Sequence, residues 1–225
     1  KAIEVYGHEY AMHFPRHAWP AGRDKKLSPV HDRIIAQGGQ MGAYNGWERA
    51  NWFAAPGDDV SEEATQTWDR NGPWAQRIRE ECEAVRDHVG VLDLPGFSRF
   101  NLSGAGAAEW LRGRITGGLP KIGRMNLAYF ADDRGRIVTE MSVLRHGDDA
   151  FTLITAATAQ WHDFDVLRPA IEAGLTLRDH TRDYSTLIVT GPQSRELFKA
   201  LDTQADLSAS WLSHQAAVVA GQNCA

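Results

Sequence analysis

Apolar and polar positions along the chain change rhythm near residue 73. From Ala75 to Val89 the residues Ile78, Cys82, Val85 and Val89 recur at spacings of four, three and four, the period of an amphipathic helix. Phe97–Leu102 alternates instead and predicts a strand, and Ala105–Arg112 returns to helical composition. Asn126–Ala131 and Ile137–Leu144 alternate on either side of Asp132-Asp133-Arg134-Gly135, whose glycine takes a positive φ cheaply, so the two runs predict a β-hairpin. Ala150–Thr155 places Phe151, Leu153 and Thr155 on one face, and Ala159–Ala173 reads as a helix ended by Gly174. Two short strands come next, Leu175–Asp179 and Leu187–Thr190. After Gly191-Pro192 a helix starts at Ser194 and runs to Leu201.

Residues 1–75 lack this regularity. They are rich in aromatics, glycine, proline and histidine, and carry the loop signals Pro15, Pro20-Ala21-Gly22, Gly38-Gly39 and Pro56-Gly57-Asp58. One short helix is predicted within Pro29–Gln37, with Ser28 as its cap and Pro29 in its first turn. Helices mixed with hairpins predict an α+β fold with mixed or antiparallel sheets and packed helices.

Composition narrows the function classes. In 225 residues, 43% are hydrophobic and 24% charged, an ordinary globular balance that excludes a disordered chain, collagen or a disulfide scaffold. With 24 Lys+Arg against 29 Asp+Glu the net charge is −5, which gives no electrostatic footprint for nucleic acid. No run approaches the ~18 apolar residues of a membrane span. Cys82 and Cys224 form no metal or redox spacing, which points to a reducing compartment, cytoplasmic, or the mitochondrial matrix in a eukaryote. The first residues show neither an initiator Met nor a signal pattern, as expected of a piece of a longer chain.

Several motifs are weak carriers of chemistry. Ser103-Gly104-Ala105-Gly106-Ala107-Ala108 follows a strand and opens a helix, but lacks the third glycine and the second βα unit of a dinucleotide loop. His8, His13 and His17 have no helix to align them as metal ligands. Cys82, between Glu81 and Glu83, lacks the electropositive setting of a nucleophile and reads as a core residue, and Ser185 and Ser194 lack a nucleophile elbow. Trp47-Glu48-Arg49 and Asn51-Trp52-Phe53 suit a loop plugged against another domain, or a local mini-core, with Glu48 and Arg49 paired at its rim. Glu140 is the acid of most interest. Alternation sets Val138, Glu140 and Ser142 on one strand face, so its carboxylate is on a solvated face or at a pocket wall, where it could bond an N–H-rich heterocycle or exchange a proton with an amine.

The stretch Glu80–Asp93, with Phe100-Asn101-Leu102-Ser103-Gly104, Gly123-Arg124, Gly135–Glu140 and Gly191–Leu197, resembles the glycine cleavage T-protein, an aminomethyltransferase. The stretches Tyr10–Pro15, Ser28-Pro29 and Gly46–Phe53 resemble the central segment that precedes that fold in dimethylglycine and sarcosine dehydrogenases. The resemblance covers essentially the whole chain. It implies a T-protein-like folate-binding fold truncated at both ends, with residues 1–75 linking a missing flavin domain to the folate domain at 76–225.

By function, the same resemblance implies part of an FAD-dependent demethylase. The FAD lies in the missing N-terminal domain and oxidises an N-methyl amine, and the present region holds tetrahydrofolate and captures the one-carbon unit as 5,10-methylenetetrahydrofolate. Tethering the two sites keeps a labile intermediate near its acceptor. Carried over by position, the family's folate-contacting acid falls on Glu140, the preceding-strand positions on Leu127 and Tyr129, and the wall positions on Phe151, Leu153 and Thr155. Departures are confined to loops: Asp93-Leu94-Pro95-Gly96-Phe97, Ala105 after Gly104, and Ala50 before Asn51. The family's second folate carboxylate and arginine are expected beyond Ala225. The other reading is a T-protein-like structural or docking module that has lost folate chemistry.

Overall fold

A computed structural model describes residues 2–17, 19–201 and 203–224, and the chain forms two compact units: residues 1–96 with 185–194, and residues 97–184 with 195–225. In chain order the elements are α1 (Ala2–His8), α2 (His31–Ala36), β1 (Gly39–Tyr44), β2 (Trp47–Phe53), α3 (Glu62–Thr65), α4 (Trp74–Asp87), β3 (Gly90–Asp93) and β4 (Phe97–Ser103). They continue with α5 (Ala107–Arg112), β5 (Ile115–Thr116), β6 (Arg124–Ala131), β7 (Ile137–Gly147), β8 (Ala150–Ala156), α6 (Gln160–Leu167) and β9 (Thr176–Asp179). Last come β10 (Leu187–Thr190), α7 (Ser194–Ala200), β11 (Ala217–Val219) and β12 (Gln222–Cys224). The strands pair antiparallel, so the fold is α+β as expected. Among the described residues no helix is long and apolar enough to cross a membrane.

In the first unit, Asn45 and Gly46 both take positive φ, which turns β1 into β2 as a tight hairpin, where the aromatic pattern left open a plugged loop or a local mini-core. Trp47 and Trp52 are buried behind it, as is Glu48. Arg23, not Arg49, pairs with Glu48: its Nε and NH2 donate to the two carboxylate oxygens at 2.8 and 2.7 Å, and the Asp24 amide adds a third bond at 3.0 Å. Arg49 instead lies over the Tyr44 ring. Helix α4 begins at Trp74, its one buried residue, while Ile78 and Cys82 are exposed, so the stripe spaced for a core is not enclosed. Arg77 on α4 clamps Asp58 through two bonds of 2.8 and 3.0 Å. Strand β10 returns to pair with β3, Leu187 opposite Asp93 and Thr190 opposite Gly90. The composition change at residue 75 therefore does not coincide with the edge of this unit.

A six-stranded sheet in the order β5-β6-β7-β8-β4-β9 forms the second unit. One face carries the core: Phe100, Leu102, Met141, Val143, Phe151 and Leu153 pack with Trp110 and Leu111 of α5 and Leu167 of α6. The β6–β7 turn is the predicted one. Gly135 has φ 75°, and Asp132 Oδ1 accepts from the amides of Arg134 and Arg136. Helix α6 is shorter than the predicted Ala159–Ala173, because Pro169 has no amide to continue it and the chain tightens into a 3-10 turn at Arg168–Ala170.

Candidate functional site

The register of the central strands decides which residues share a face. Tyr129 stands opposite Glu140, Leu127 opposite Ser142, and Ser142 opposite Ile154, so these five side chains project from one side of the sheet. That side is open at the predicted positions: Leu127 is 53% and Tyr129 38% exposed, and Glu140 is exposed. Glu140 ion-pairs with no other described residue. An acid beside a phenol ring and a leucine offers a flat apolar surface with one acceptor at its edge.

Phe151, Leu153 and Thr155 fall on the opposite face. Leu153 pairs with Val143, an odd-numbered position of β7, and both are fully buried. A one-residue offset reverses the direction of a strand side chain, so these three cannot line the same wall as Glu140. Thr155 spends its hydroxyl within the core, donating at 2.6 Å to Asp163, whose other oxygen lies 2.8 Å from His162 Nδ1. The expected single patch is thus corrected to two: Leu127, Tyr129 and Glu140 outside, and Phe151, Leu153 and Thr155 inside.

A polar chain beside Glu140's row was missed from sequence. Thr152 donates to Asn101 Oδ1 at 3.0 Å, and His146 Nε2 lies 2.8 Å from the Thr152 hydroxyl. His146 packs edge-on against His214, whose Nε2 is 2.9 Å from the Arg145 carbonyl. Burial, then the neighbouring His214, push the His146 pKa down. The signal was available, since Thr152 and Ile154 alternate with Phe151 and Leu153 and must share a face with Glu140's side of β7 once the register is known.

The remaining candidates take structural places. The amides of Gly106 and Ala108 donate to the Asp149 carboxylate at 3.2 and 2.9 Å, so the loop that resembles a phosphate cradle is closed by the protein's own anion. Those two bonds hold Asp149 below the usual carboxylate range. His8, His13 and His17 pack around the Trp19 ring. Cys82 is exposed rather than core, and the Ser194 hydroxyl donates to the Gly191 carbonyl. Within the first unit, Trp52, Phe53, Val85, Leu92 and Ile188 line an apolar groove of about 840 Å³ that sequence reasoning did not anticipate.

Residues 30–225 match the GCVT N-terminal domain. The chain belongs to that family. It is 30% identical over 211 residues to the mitochondrial dimethylglycine dehydrogenase of Rattus norvegicus, covering 92% of this chain and 24% of the relative. It is 31% identical over 204 residues to the formaldehyde-forming 4-methylaminobutanoate oxidase of Paenarthrobacter nicotinovorans, covering 89% and 24%. The glycine cleavage system aminomethyltransferase T of Bartonella henselae shares the fold, with a TM-score of 0.67 at 19% identity, over 84% of this chain and 46% of that one. The chain therefore spans about a quarter of the length of the curated relatives.

Proposed function

We propose that this chain is the central and folate-side portion of an N-methyl amine dehydrogenase of the dimethylglycine or sarcosine type. In this reading the open sheet face around Glu140 binds tetrahydrofolate and captures the one-carbon unit as 5,10-methylenetetrahydrofolate. Family membership supports the reading, as do relatives whose names specify oxidation of such amines. The observation that carries it is the juxtaposition of Glu140 with Tyr129, directly opposite on an exposed face, the acid without an ionic partner among the described residues.

The chemistry asked of these residues is modest. Tyr129 and Leu127 give the flat face of a reduced pteridine a surface to pack on. Glu140 accepts a hydrogen bond from a ring or bridging N–H and holds the proton that leaves when that nitrogen bonds an electrophilic one-carbon unit. FAD would supply the oxidation that generates this unit. The glycine loop before α5 is filled by Asp149 and offers no site for a flavin phosphate, so in this reading flavin binding falls to the part of the relatives that this chain does not match.

Calorimetric titration of tetrahydrofolate into the protein and its Glu140→Gln variant tests this. A hydrogen bond to a charged group contributes about 1.5–3 kcal/mol, so binding should weaken at least about tenfold. Because Glu140 is exposed, the variant should fold as the parent does. Equal affinities would leave Glu140 a solvated strand residue and favour the docking-module reading.

A further inference from the structure

Near the C-terminal end of the second unit, residues 210–214 lie against the start of β6. The Met125 amide donates to the Leu212 carbonyl at 2.9 Å, and the His214 amide donates to the Gly123 carbonyl at 3.0 Å. Arg124 pairs with Ser213 as an isolated antiparallel bridge and donates to the Ser210 hydroxyl. His214 is the side-chain anchor: its Nε2 lies 2.9 Å from the Arg145 carbonyl, an oxygen that also accepts the Gly123 amide at 2.8 Å. A carbonyl can only accept, so His214 carries its neutral proton on Nε2.

The His214 ring meets that of His146 edge-on, with 4.7 Å between centroids and 72° between planes. His146 is fixed from its other side. Thr152 gives its hydroxyl proton to Asn101 Oδ1, so its oxygen accepts from His146 Nε2 at 2.8 Å, and the neutral proton of His146 is also on Nε2. The charges around the two rings are mainly positive. Arg145 points its guanidinium at the carbonyls of Gly147, Pro120 and Asp148, and Lys121 and Arg124 stand at the entry to β6. Of the nearby acids, Asp149 is committed to the amides of Gly106 and Ala108, Asp206 to Ser208, and Asp148 is exposed in the β7–β8 turn. Among the described residues the histidines that meet a carboxylate are His162 and His180, not these two.

We propose that His146 and His214 form a pH-sensitive latch: with both rings neutral they hold residues 210–214 on the ends of β6 and β7, and a proton on His146 releases that segment. A charge on His146 faces His214 across the ring contact with no paired carboxylate to balance it. The charged ring gains by turning to water, and His214 then loses the surface on which it packs. Burial first, and His214 second, already hold His146 below the ordinary histidine value. The docked state therefore disfavours the proton. Its stability is full above the ordinary imidazole pKa of about 6.5 and is lost as pH falls through that value.

Amide hydrogen exchange followed by NMR tests the latch, with the Met125 and His214 amides as reporters because each bonds between the segment and the sheet end. Uptake of one proton on opening raises the opening constant by at most about tenfold per pH unit. After correction for intrinsic exchange rates, a rise of about three- to tenfold between about pH 7.5 and about pH 5.5 is expected at these two positions. The amides of Val143 and Leu153, in the buried centre of the sheet, should not follow. His146→Phe keeps a ring against His214, and His146→Gln keeps a donor for Thr152; neither takes a proton, so the rise should vanish in both. Reporters that open equally at both pH values in the parent, a rise that survives in either variant, or core amides that rise in step would overturn the proposal.

Discussion

Glu48 offers the sharpest test of how the first unit is held together. Its side chain is 1% exposed and accepts three bonds, whereas its partner Arg23 remains 26% exposed. The two halves of the pair should therefore respond unequally. Arg23→Met strands a buried carboxylate with only the Asp24 amide for support, at a cost of about 3–5 kcal/mol. Glu48→Gln leaves a guanidinium that can still reach water and an amide oxygen that can still accept, so about 1.5–3 kcal/mol is expected. Arg23's hydrogen bond is the main reason Glu48 sits below the usual carboxylate range. A lowered folded pKa means that the pair's stabilisation is present above the unfolded carboxylate pKa and is lost as pH falls through the folded value. In Arg23→Met the same burial loses its guanidinium and keeps only the weaker pull of His31, so Glu48 should bind a proton at higher pH. The gap between parent and variant should then shrink on acidification. Urea denaturation followed by tryptophan fluorescence, with Trp47 and Trp52 as buried reporters nearby, measures this at about pH 7 and about pH 3. The reasoning is refuted if Arg23→Met is the milder change, or if its cost is the same at both pH values.

The sheet and the α4 clamp each yield a further expected outcome. Leu153→Ala should destabilise by about 2–5 kcal/mol as a core truncation, while Leu127→Ala, on the open face, should stay within about 0.5 kcal/mol; comparable losses in denaturant titrations would contradict the face assignment. Asp58, bound by Arg77, is lowered to about 2, so its contribution is present above the ordinary aspartate range and disappears as pH falls toward that value. Asp58→Asn should flatten that part of the pH–stability curve, and an unchanged acid limb in thermal melts at stepped pH would argue against the clamp.

How much of the fold is legible in the sequence depends on the distance between the residues involved. The β6–β7 hairpin was legible because alternation and the glycine turn are encoded within a few residues, and β10 was placed at its observed limits. The β1–β2 hairpin was equally local, since Asn45-Gly46 is a strong turn signal, but the surrounding aromatics and glycines obscured its alternation. In α4 the helical period was correct and the inference of burial was not, because periodicity records which residues share a side but not whether anything covers it.

The chain's own pattern determined most element types, the α+β class and the β6–β7 hairpin that carries Glu140, all consequences of backbone period and turn chemistry. Tertiary structure alone decided that Leu127, Tyr129 and Glu140 stay open while Phe151, Leu153 and Thr155 are enclosed, because α5 and α6 cover only one side of the sheet. It alone joined Glu48 to Arg23, Asp149 to the amides of α5, and Ser185 to Asp93's surroundings. Each of these unites groups far apart along the chain, and only packing, which lowers the free energy of the whole unit at once, selects such partners.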